Sequence, residues 1–338
     1  MIKVAINGFG RIGRLTFRRI LEKYPNLSVV AINDLTDTKT LAYLLKYDSL
    51  YGMCLEKVSF KENAVLINGD RFSVFTEMDP VNLPWKELEI DIVLECTGRF
   101  TEYEEAENHI KAGAKKVIIS APSKSPNIPT FVLGVNEDKY NPEKDNIISN
   151  TSCTTNCLAP IVKVLNENFE IENGFMTTVH SYTNDQRILD LPHKDLRRTR
   201  AAALSIIPTT TGAAKSVEKV IPGVKGKLDG IALRVPTPTV SIIDFICKVK
   251  KPPSSSEEVN YIFKKVSKEE KLQNILGIED AQLVSVDYTR NSFSAIVDAN
   301  LTMVKGDLVK IVAWYDNEWG YACRLAQMTE YIGRRLKV

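Results

Sequence analysis

The chain lacks an excess of charge of either sign. Its 44 Lys and Arg stand against 42 Asp and Glu, a net charge of +2 over 338 residues. A nucleic-acid binder would show a larger or more clustered basic excess. Long apolar runs are missing too. The longest are of strand length, far short of the roughly 20 residues of a membrane span. Histidine is scarce, with His109, His180 and His193 the full set. Six scattered cysteines (Cys54, Cys96, Cys153, Cys157, Cys247, Cys323) do not make a disulfide framework. No Cys/His group has zinc spacing, and Cys153 to Cys157 is one residue too long for a redox pair, so no metal is expected. The N-terminus opens at once on strand-like residues, with no basic segment and no cleavage site, and reads as cytoplasmic.

What is present is enough apolar residue, 44%, to pack cores, over a length that suits about two domains. A short apolar strand, residues 2–7, runs directly into Gly8-Phe9-Gly10-Arg11-Ile12-Gly13. Ile12, Leu15, Ile20 and Leu21 then follow at helical spacing. A second strand, residues 27–32, ends at Asn33-Asp34. In this setting each glycine has a task. Gly8 permits the tight turn, Gly10 lets a pyrophosphate approach the backbone, and Gly13 allows close helix–strand packing. The helix N-terminus offers free N–H groups to phosphate. Asp34, at the end of the second strand, suits a ribose 2′-OH and repels a 2′-phosphate, which favours NAD over NADP. Further strands and helices alternate: a hairpin over residues 64–75 turning at Asn68-Gly69-Asp70, a strand over 91–96 before Thr97-Gly98, a helix over 102–112, and a strand over 117–120 ending at Ser120. Strands with small or polar C-terminal ends suit a ligand crevice.

The most informative stretch is Asn150-Thr151-Ser152-Cys153-Thr154-Thr155-Asn156-Cys157, between a strand at 147–149 and a helical run at 158–169. Ser, Thr and Asn before an apolar periodic run mark a helix start. Cys153 therefore sits near a helix N-terminus, where thiolate is favoured. Pro160 is tolerable only in the first turns or at a kink. Cys157, beside Leu158-Ala159, reads as core. Among the histidines, His109 lies in a charged helix and reads as solvated surface, and His193 lies in a loop. His180 ends a strand and is followed by polar residues, the placement a base for Cys153 needs. Anion handles follow: three arginines in residues 195–200, Thr209-Thr210-Thr211-Gly212 opening a helix, and Arg234 at a strand end. Together they imply a substrate with more than one phosphate-like group. The last third reads as strands over 228–235, 240–249, 283–286, 293–298 and 308–315, a helix over 257–266, and a final helix running from 318 towards Val338.

These segments converge. The chain resembles the phosphorylating glyceraldehyde-3-phosphate dehydrogenases over essentially its whole length. The resemblance is carried by Ile6–Arg14, Ser152–Pro160, Thr177–Gln186, Thr209–Lys215, Arg234–Pro238 and Trp314–Tyr321. It implies an α/β fold: a Rossmann-type doubly wound parallel sheet, plus an α+β catalytic domain with a large, mostly antiparallel sheet. The domains would be residues 1–152, binding NAD and rejoined by 318–338, and 153–317.

The resemblance also implies roles. Cys153 is the nucleophile and His180 its base. Ser152, Arg198, Thr211 and Gly212 take inorganic phosphate. Thr183, Asp185 and Arg234 take the phosphate of glyceraldehyde 3-phosphate, and Thr154 joins this substrate and phosphate set. Gly8, Gly10, Arg11, Ile12, Gly13, Asp34, Met78, Thr97, Ser120 and Asn317 surround NAD, with Arg11 and Ile12 at the pyrophosphate and Asn317 at the nicotinamide carboxamide. Residues 182–207 correspond to a loop between subunits of a homotetramer. The pattern departs at Glu77-Met78, where relatives often carry a basic residue beside the adenine. Two other readings stay open here: an erythrose-4-phosphate dehydrogenase of the same family, and a non-catalytic nucleotide- or RNA-binding protein.

Overall fold

A computed structural model describes residues 1–336, and the chain divides into two compact units. The first comprises Met1–Phe131, Asp138–Thr151 and the chain from Ala322 onward. The second comprises Val132–Glu137 and Ser152–Tyr321. Lys337 and Val338, the end of the expected final helix, lie outside the described residues.

The first unit is organised by the strand Ile2–Asn7, whose last four residues are all buried. Such a strand has both faces covered, and it pairs in parallel with Leu27–Asn33 on one side and Ile92–Glu95 on the other. Lys116–Ile119 and Ile147–Ser149 continue the parallel sheet beyond Ile92–Glu95. Asp70–Phe75 extends it beyond Leu27–Asn33, and Ala64–Ile67 and Val58–Lys61 close that edge as antiparallel hairpin strands. The hairpin turns at Asn68 and Gly69, both at positive φ (54° and 98°), the conformation a two-residue turn requires. Because the chain winds outward in both directions from Ile2–Asn7, Asn7, Asn33 and Glu95 end neighbouring strands where the strand order reverses.

One expectation fails in this unit. His109 is fully buried, not solvated. It lies three residues after Ala106, on the inward face of the helix Tyr103–Lys111. Trp85 Nε1 donates to its Nδ1 (3.1 Å), so Nε2 carries the hydrogen that faces Glu95 Oε2 at 3.1 Å. Glu95 also accepts from Asn7 Nδ2 (2.5 Å). The charged residues around His109 occupy the opposite face of the helix and hide this pattern in one dimension.

The second unit is built on one eight-stranded, mostly antiparallel sheet. Its order is Ile207–Thr210, Leu228–Val235, Ile171–Ser181, Ser241–Val249, Leu308–Tyr315, Ala295–Asp298 and Leu276–Glu279, with Met303–Lys305 pairing Leu308–Tyr315. Two neighbouring pairs are parallel: Ile171–Ser181 with Leu228–Val235, and Leu276–Glu279 with Ala295–Asp298. Its core gathers inward residues such as Met176, Ile243, Phe245 and Ile311 against the helices Cys153–Phe169, Ala213–Val220 and Ser256–Val266. The first of these helices runs through Pro160 without ending. An interior proline costs a helix about 3 kcal/mol, and here burial of most of the helix offsets it.

Residues 283–286 are not a strand. Ser285–Tyr288 is a 3-10 turn, in which Asp287 accepts from Val284 N (2.8 Å) and returns its own N–H to Val284 O (3.0 Å). Local closure of this kind competes with a ladder. The final helix spans Trp319–Gly333, with Asp316 Oδ1 accepting from Trp319 N, and it gives way to a turn at Arg334. Among the described residues, no helix is long and apolar enough to cross a membrane.

Candidate active site

In the first unit the glycine turn is shaped by contact. A Cβ at Gly13 would stand 2.2 Å from Gly8 O, and one at Gly8, itself at φ +89°, would stand 2.7 Å from Thr97 N. A Cβ at Gly10 would meet nothing within 4 Å. Two glycines thus let the strand, turn and helix pack, and the third leaves open space at the start of the helix Arg11–Lys23. Gly10 offers no side-chain cap to that helix start, and the positive end of the helix dipole there suits an anion.

Beside it lies a cleft of about 280 Å³ lined by Gly8, Gly10, Asp34, Met78 and Thr97, and also by Asn7, Asn33, Leu35, Cys96, Arg99 and Phe100. Asn7 and Asn33 end parallel strands and are joined by a hydrogen bond (2.7 Å), a placement the strand pattern would have revealed. Glu77 lines the cleft as well, so an acidic and a basic residue, Glu77 and Arg99, join Asp34 and Met78 in the lining. Asp34 is held from both sides: Oδ2 accepts from Phe9 N (2.7 Å) and Oδ1 from Thr36 N (3.0 Å). Arg11, Ile12, Gly13 and Ser120 do not line the cleft. The Arg11 side chain turns to Asp48 (2.5 Å), leaving its backbone at the helix start, and Ser120 N bonds Glu95 O. This cradle fits a dinucleotide: room at an uncapped helix start, a close-packed turn, and a fixed carboxylate one strand away.

In the second unit the chain enters at Ser152, whose Oγ caps the helix by accepting from Thr155 N (3.1 Å). Cys153 is therefore the first helical residue. Its Sγ lies 3.5 Å from Nε2 of His180, the penultimate residue of the strand Ile171–Ser181. Parallel register places Arg234 directly opposite His180. Arg234 Nη1 is 2.6 Å from His180 Nδ1 and donates to Ser181 O (3.1 Å). Tyr315, unremarked in the sequence, stands edge-on to the imidazole, and its hydroxyl joins Thr154 (3.0 Å) and Thr178 (2.9 Å). Asn317 Oδ1 accepts from Ser181 Oγ (2.8 Å) and Ser241 Oγ (2.9 Å), which leaves the amide nitrogen as its donor.

Burial, reinforced by the Arg234 charge, lowers the His180 pKa to about 3, against the Ser181 carbonyl. Burial also pushes the Cys153 thiol up, against Arg234 and the hydroxyl and N–H of Thr154. Burial thus works against charge on both groups and opposes the helix dipole, which favours thiolate. Cys157 is fully buried among apolar side chains and its thiol is pushed far up, as a core residue's should be.

The anion handles separate into clusters. Arg198 pairs with Asp185 and Asp195, and His193 Nε2 lies 3.4 Å from Asp185. Asp185 and Arg198 are within electrostatic reach of Arg234. Thr183 N bonds the Gln186 side chain in the same loop. Thr211 Oγ1 accepts from Ala213 N (3.2 Å), with Gly212 open above the helix Ala213–Val220. Among the described residues, no hydrogen bond joins Thr211 or Gly212 to Cys153.

Residues 2–103 match the family described as glyceraldehyde 3-phosphate dehydrogenase, NAD binding domain, and residues 152–317 match its C-terminal domain. The chain is 57% identical over 335 residues to a glyceraldehyde-3-phosphate dehydrogenase of Geobacillus stearothermophilus, covering 99% of both chains. It is 54% identical over 336 residues to the enzyme of the same name from Streptomyces coelicolor, again covering 99% of both. With glyceraldehyde-3-phosphate dehydrogenase 2 of Bacillus subtilis it shares 51% over 337 residues, 99% of this chain and 98% of the relative.

Proposed function

The chain belongs to the glyceraldehyde 3-phosphate dehydrogenase family, and from that premise we propose how its own residues carry the reaction. The activity is the NAD-dependent oxidation of glyceraldehyde 3-phosphate with inorganic phosphate to the acyl phosphate 1,3-bisphosphoglycerate. The observation that carries the assignment is Cys153 at a helix start, 3.5 Å from His180. NAD, when bound, supplies the hydride acceptor. Gly8, Gly10, Gly13, Asp34 and Thr97 hold it, together with the backbone of Arg11 and Ile12, Met78 and Ser120, and Asn317 orients its carboxamide through the amide nitrogen.

Cys153 sulfur adds to the aldehyde carbon, forming a hemithioacetal. His180 Nε2 removes the hydroxyl proton as the carbon is oxidised to a thioester on Cys153. Phosphate oxygen then attacks the thioester carbonyl, the C–S bond breaks, and acyl phosphate leaves. The thioester retains oxidation energy that direct hydrolysis would lose. Arg234 and Thr183 take the substrate's phosphate, and Asp185, an anion itself, serves that site by holding Arg198 beside it. Ser152, Arg198, Thr211 and Gly212 take the attacking phosphate, and Thr154 belongs to the same substrate and phosphate set.

We further propose residues 1–152 with 318–338 as the NAD-binding domain and 153–317 as the catalytic domain, a cytoplasmic location, and a homotetramer. Self-association is supported by apolar side chains left in water: Ile188, Leu196 and Leu204 in the loop 182–207, and Phe175, Ile231 and Ile246 together on the outer face of the large sheet. The test is NADH absorbance with glyceraldehyde 3-phosphate. A stoichiometric burst without phosphate and sustained turnover with it are expected. Sustained turnover without phosphate would overturn the thioester route.

A further inference from the structure

The cofactor cleft has a polar layer behind its lining. Asn7, Asn33, Glu77 and Thr97 line the cleft, and the side chains of Glu95 and His109 lie fully buried behind them. The hydrogen bonds that join these groups read in one direction only. Glu77 N donates to Asn33 Oδ1 (2.9 Å) and Glu77 O accepts from Asn33 Nδ2 (2.9 Å), so the backbone fixes the Asn33 amide. Asn33 Nδ2 also donates to Asn7 Oδ1 (2.7 Å). Asn7 therefore turns its own Nδ2 to Glu95 Oε2 (2.5 Å).

The same oxygen is approached from the other side. The Trp85 indole can only donate, and it donates to His109 Nδ1 (3.1 Å), which leaves a hydrogen on Nε2 for Glu95 Oε2 (3.1 Å). Asn7 Nδ2 and His109 Nε2 stand 3.4 Å apart, two donors sharing one oxygen. Glu95 Oε1 accepts from Thr97 N (2.8 Å) and from Thr97 Oγ1. Four hydrogens thus converge on two oxygens, and only a carboxylate can accept them all.

We propose that Glu95 and His109 are positioning residues for the cofactor: the buried carboxylate, oriented by His109, fixes Thr97 against the glycine turn and, through Asn7 and Asn33, the backbone of Glu77 beside Met78. The proposal rests on the reading above that this cleft holds NAD. Both branches end where the lining has little else to hold it. A Cβ at Gly8 would stand 2.7 Å from Thr97 N, so the turn packs directly on the residue that Glu95 holds. Glu77 lies past the end of the strand Asp70–Phe75, and the Asn33 amide takes the place there of a neighbouring strand. Met78, next in the chain, is exposed and takes its position from that backbone. A donor or acceptor lost at the buried end cannot be replaced by water, so the relay reorients and both parts of the lining move with it.

The experiment measures NAD affinity by calorimetry on the full-length enzyme, with steady-state kinetics beside it. Glu95→Gln keeps the shape but puts a donor among donors, and it should weaken NAD by about tenfold. His109→Leu removes the Nε2 hydrogen and should do the same. His109→Gln, which can accept from Trp85 and donate to Glu95, should recover most of the loss. The loss should appear in KM for NAD, with kcat at saturating NAD and KM for glyceraldehyde 3-phosphate within about twofold of wild type. Wild-type NAD affinity in Glu95→Gln and His109→Leu, at any melting temperature, overturns the proposal. So do equal losses in His109→Leu and His109→Gln. Gly10→Ala tests the underlying reading apart from the relay. Wild-type affinity there overturns the assignment of the cleft to NAD, and the proposal with it.

A wild-type measurement covers variants that fail to fold. The Trp85 indole N–H reports the buried end of the relay, and the Trp314 indole N–H, which donates to Asp298 in the second unit, serves as reference. If tight binding needs the intact relay, saturating NAD should slow solvent exchange of the Trp85 indole hydrogen by about tenfold or more, and by more than that of Trp314, followed by 15N NMR. Trp85 exchange that NAD leaves unchanged overturns the coupling.

Discussion

The cofactor cleft of the first unit and the thiol site of the second are built by opposite means. The cleft is made of backbone: a six-residue turn whose glycines set the distances, an uncapped helix start, and one carboxylate at the end of the next strand. Its central parts lie within one βαβ unit, and its fit is set by close packing and one carboxylate. The thiol site is made of side chains drawn from residues 153, 180, 234 and 315, which only sheet register and one helix bring together. Its parts are distant in sequence, and its behaviour is set by burial and charge. A local site fails when atoms collide. A dispersed one fails when a charge or a proton is in the wrong place.

The largest expected effect tests the second kind of site. Cys153→Ser should lower turnover by about a thousandfold or more, because a serine hydroxyl is far harder to ionise than a thiol. Cys157→Ser, one turn further into the core, should retain most activity per folded molecule. Steady-state rates of the two variants check this, and equal losses would remove the distinction between them.

The first kind of site is tested by adding one carbon. Gly13→Ala drives a Cβ to 2.2 Å from Gly8 O, and the backbone shift should cost about 3 kcal/mol of stability. Gly10→Ala meets no protein atom within 4 Å, so its stability should change by less than about 1 kcal/mol. Its NAD affinity should nevertheless fall, by about tenfold if the added carbon costs about 1.4 kcal/mol of phosphate contact. Thermal unfolding and NAD titration separate the two outcomes. Matching stability losses would mean that Gly10 serves the fold and not the ligand.

Cofactor choice sharpens the same point. The enzyme should prefer NAD to NADP by about tenfold or more in kcat/KM, a ratio that needs only about 1.4 kcal/mol. Asp34→Gly should relax this preference, since it removes the carboxylate that repels a 2′-phosphate. It should also loosen the turn, because Asp34 holds Phe9 N and Thr36 N. Kinetics with both cofactors check the preference, and equal use by the wild type would show that Asp34 does not face the ribose.

Stability with pH tests the charge balance of the dispersed site. His180 titrates near 6.5 when unfolded and near 3 when folded. Between these values the unfolded chain binds the extra proton, so stability rises with pH. The contribution is complete above about pH 6.5 and is lost as pH falls toward 3. His180→Asn should flatten that part of the profile, measured as the denaturation midpoint against pH. An unchanged slope would show that the imidazole is not held neutral.

Much of this was legible in the residues. The glycine turn, the strand–helix alternation of the first unit, and Ser152 as a cap could be read because each depends on neighbours within a few positions. His109 could not, because its burial depends on Trp85 and Glu95 reaching the inner face of a helix that looks charged. Residues 283–286 misled because their apolar spacing suits a strand, while Asp287 closes a local turn. Tyr315 was invisible as a site residue, since nothing near it in sequence shows that its hydroxyl joins Thr154 and Thr178.

The sequence by itself determined the family, the αβ alternation, the glycine cradle and the identities of the nucleophile and its base, because short-range sterics and residue chemistry settle those. Only the tertiary structure decided what surrounds the pair. Strand register sets Arg234 against His180 Nδ1, and burial removes the water that would otherwise have shielded thiol, imidazole and guanidinium from one another.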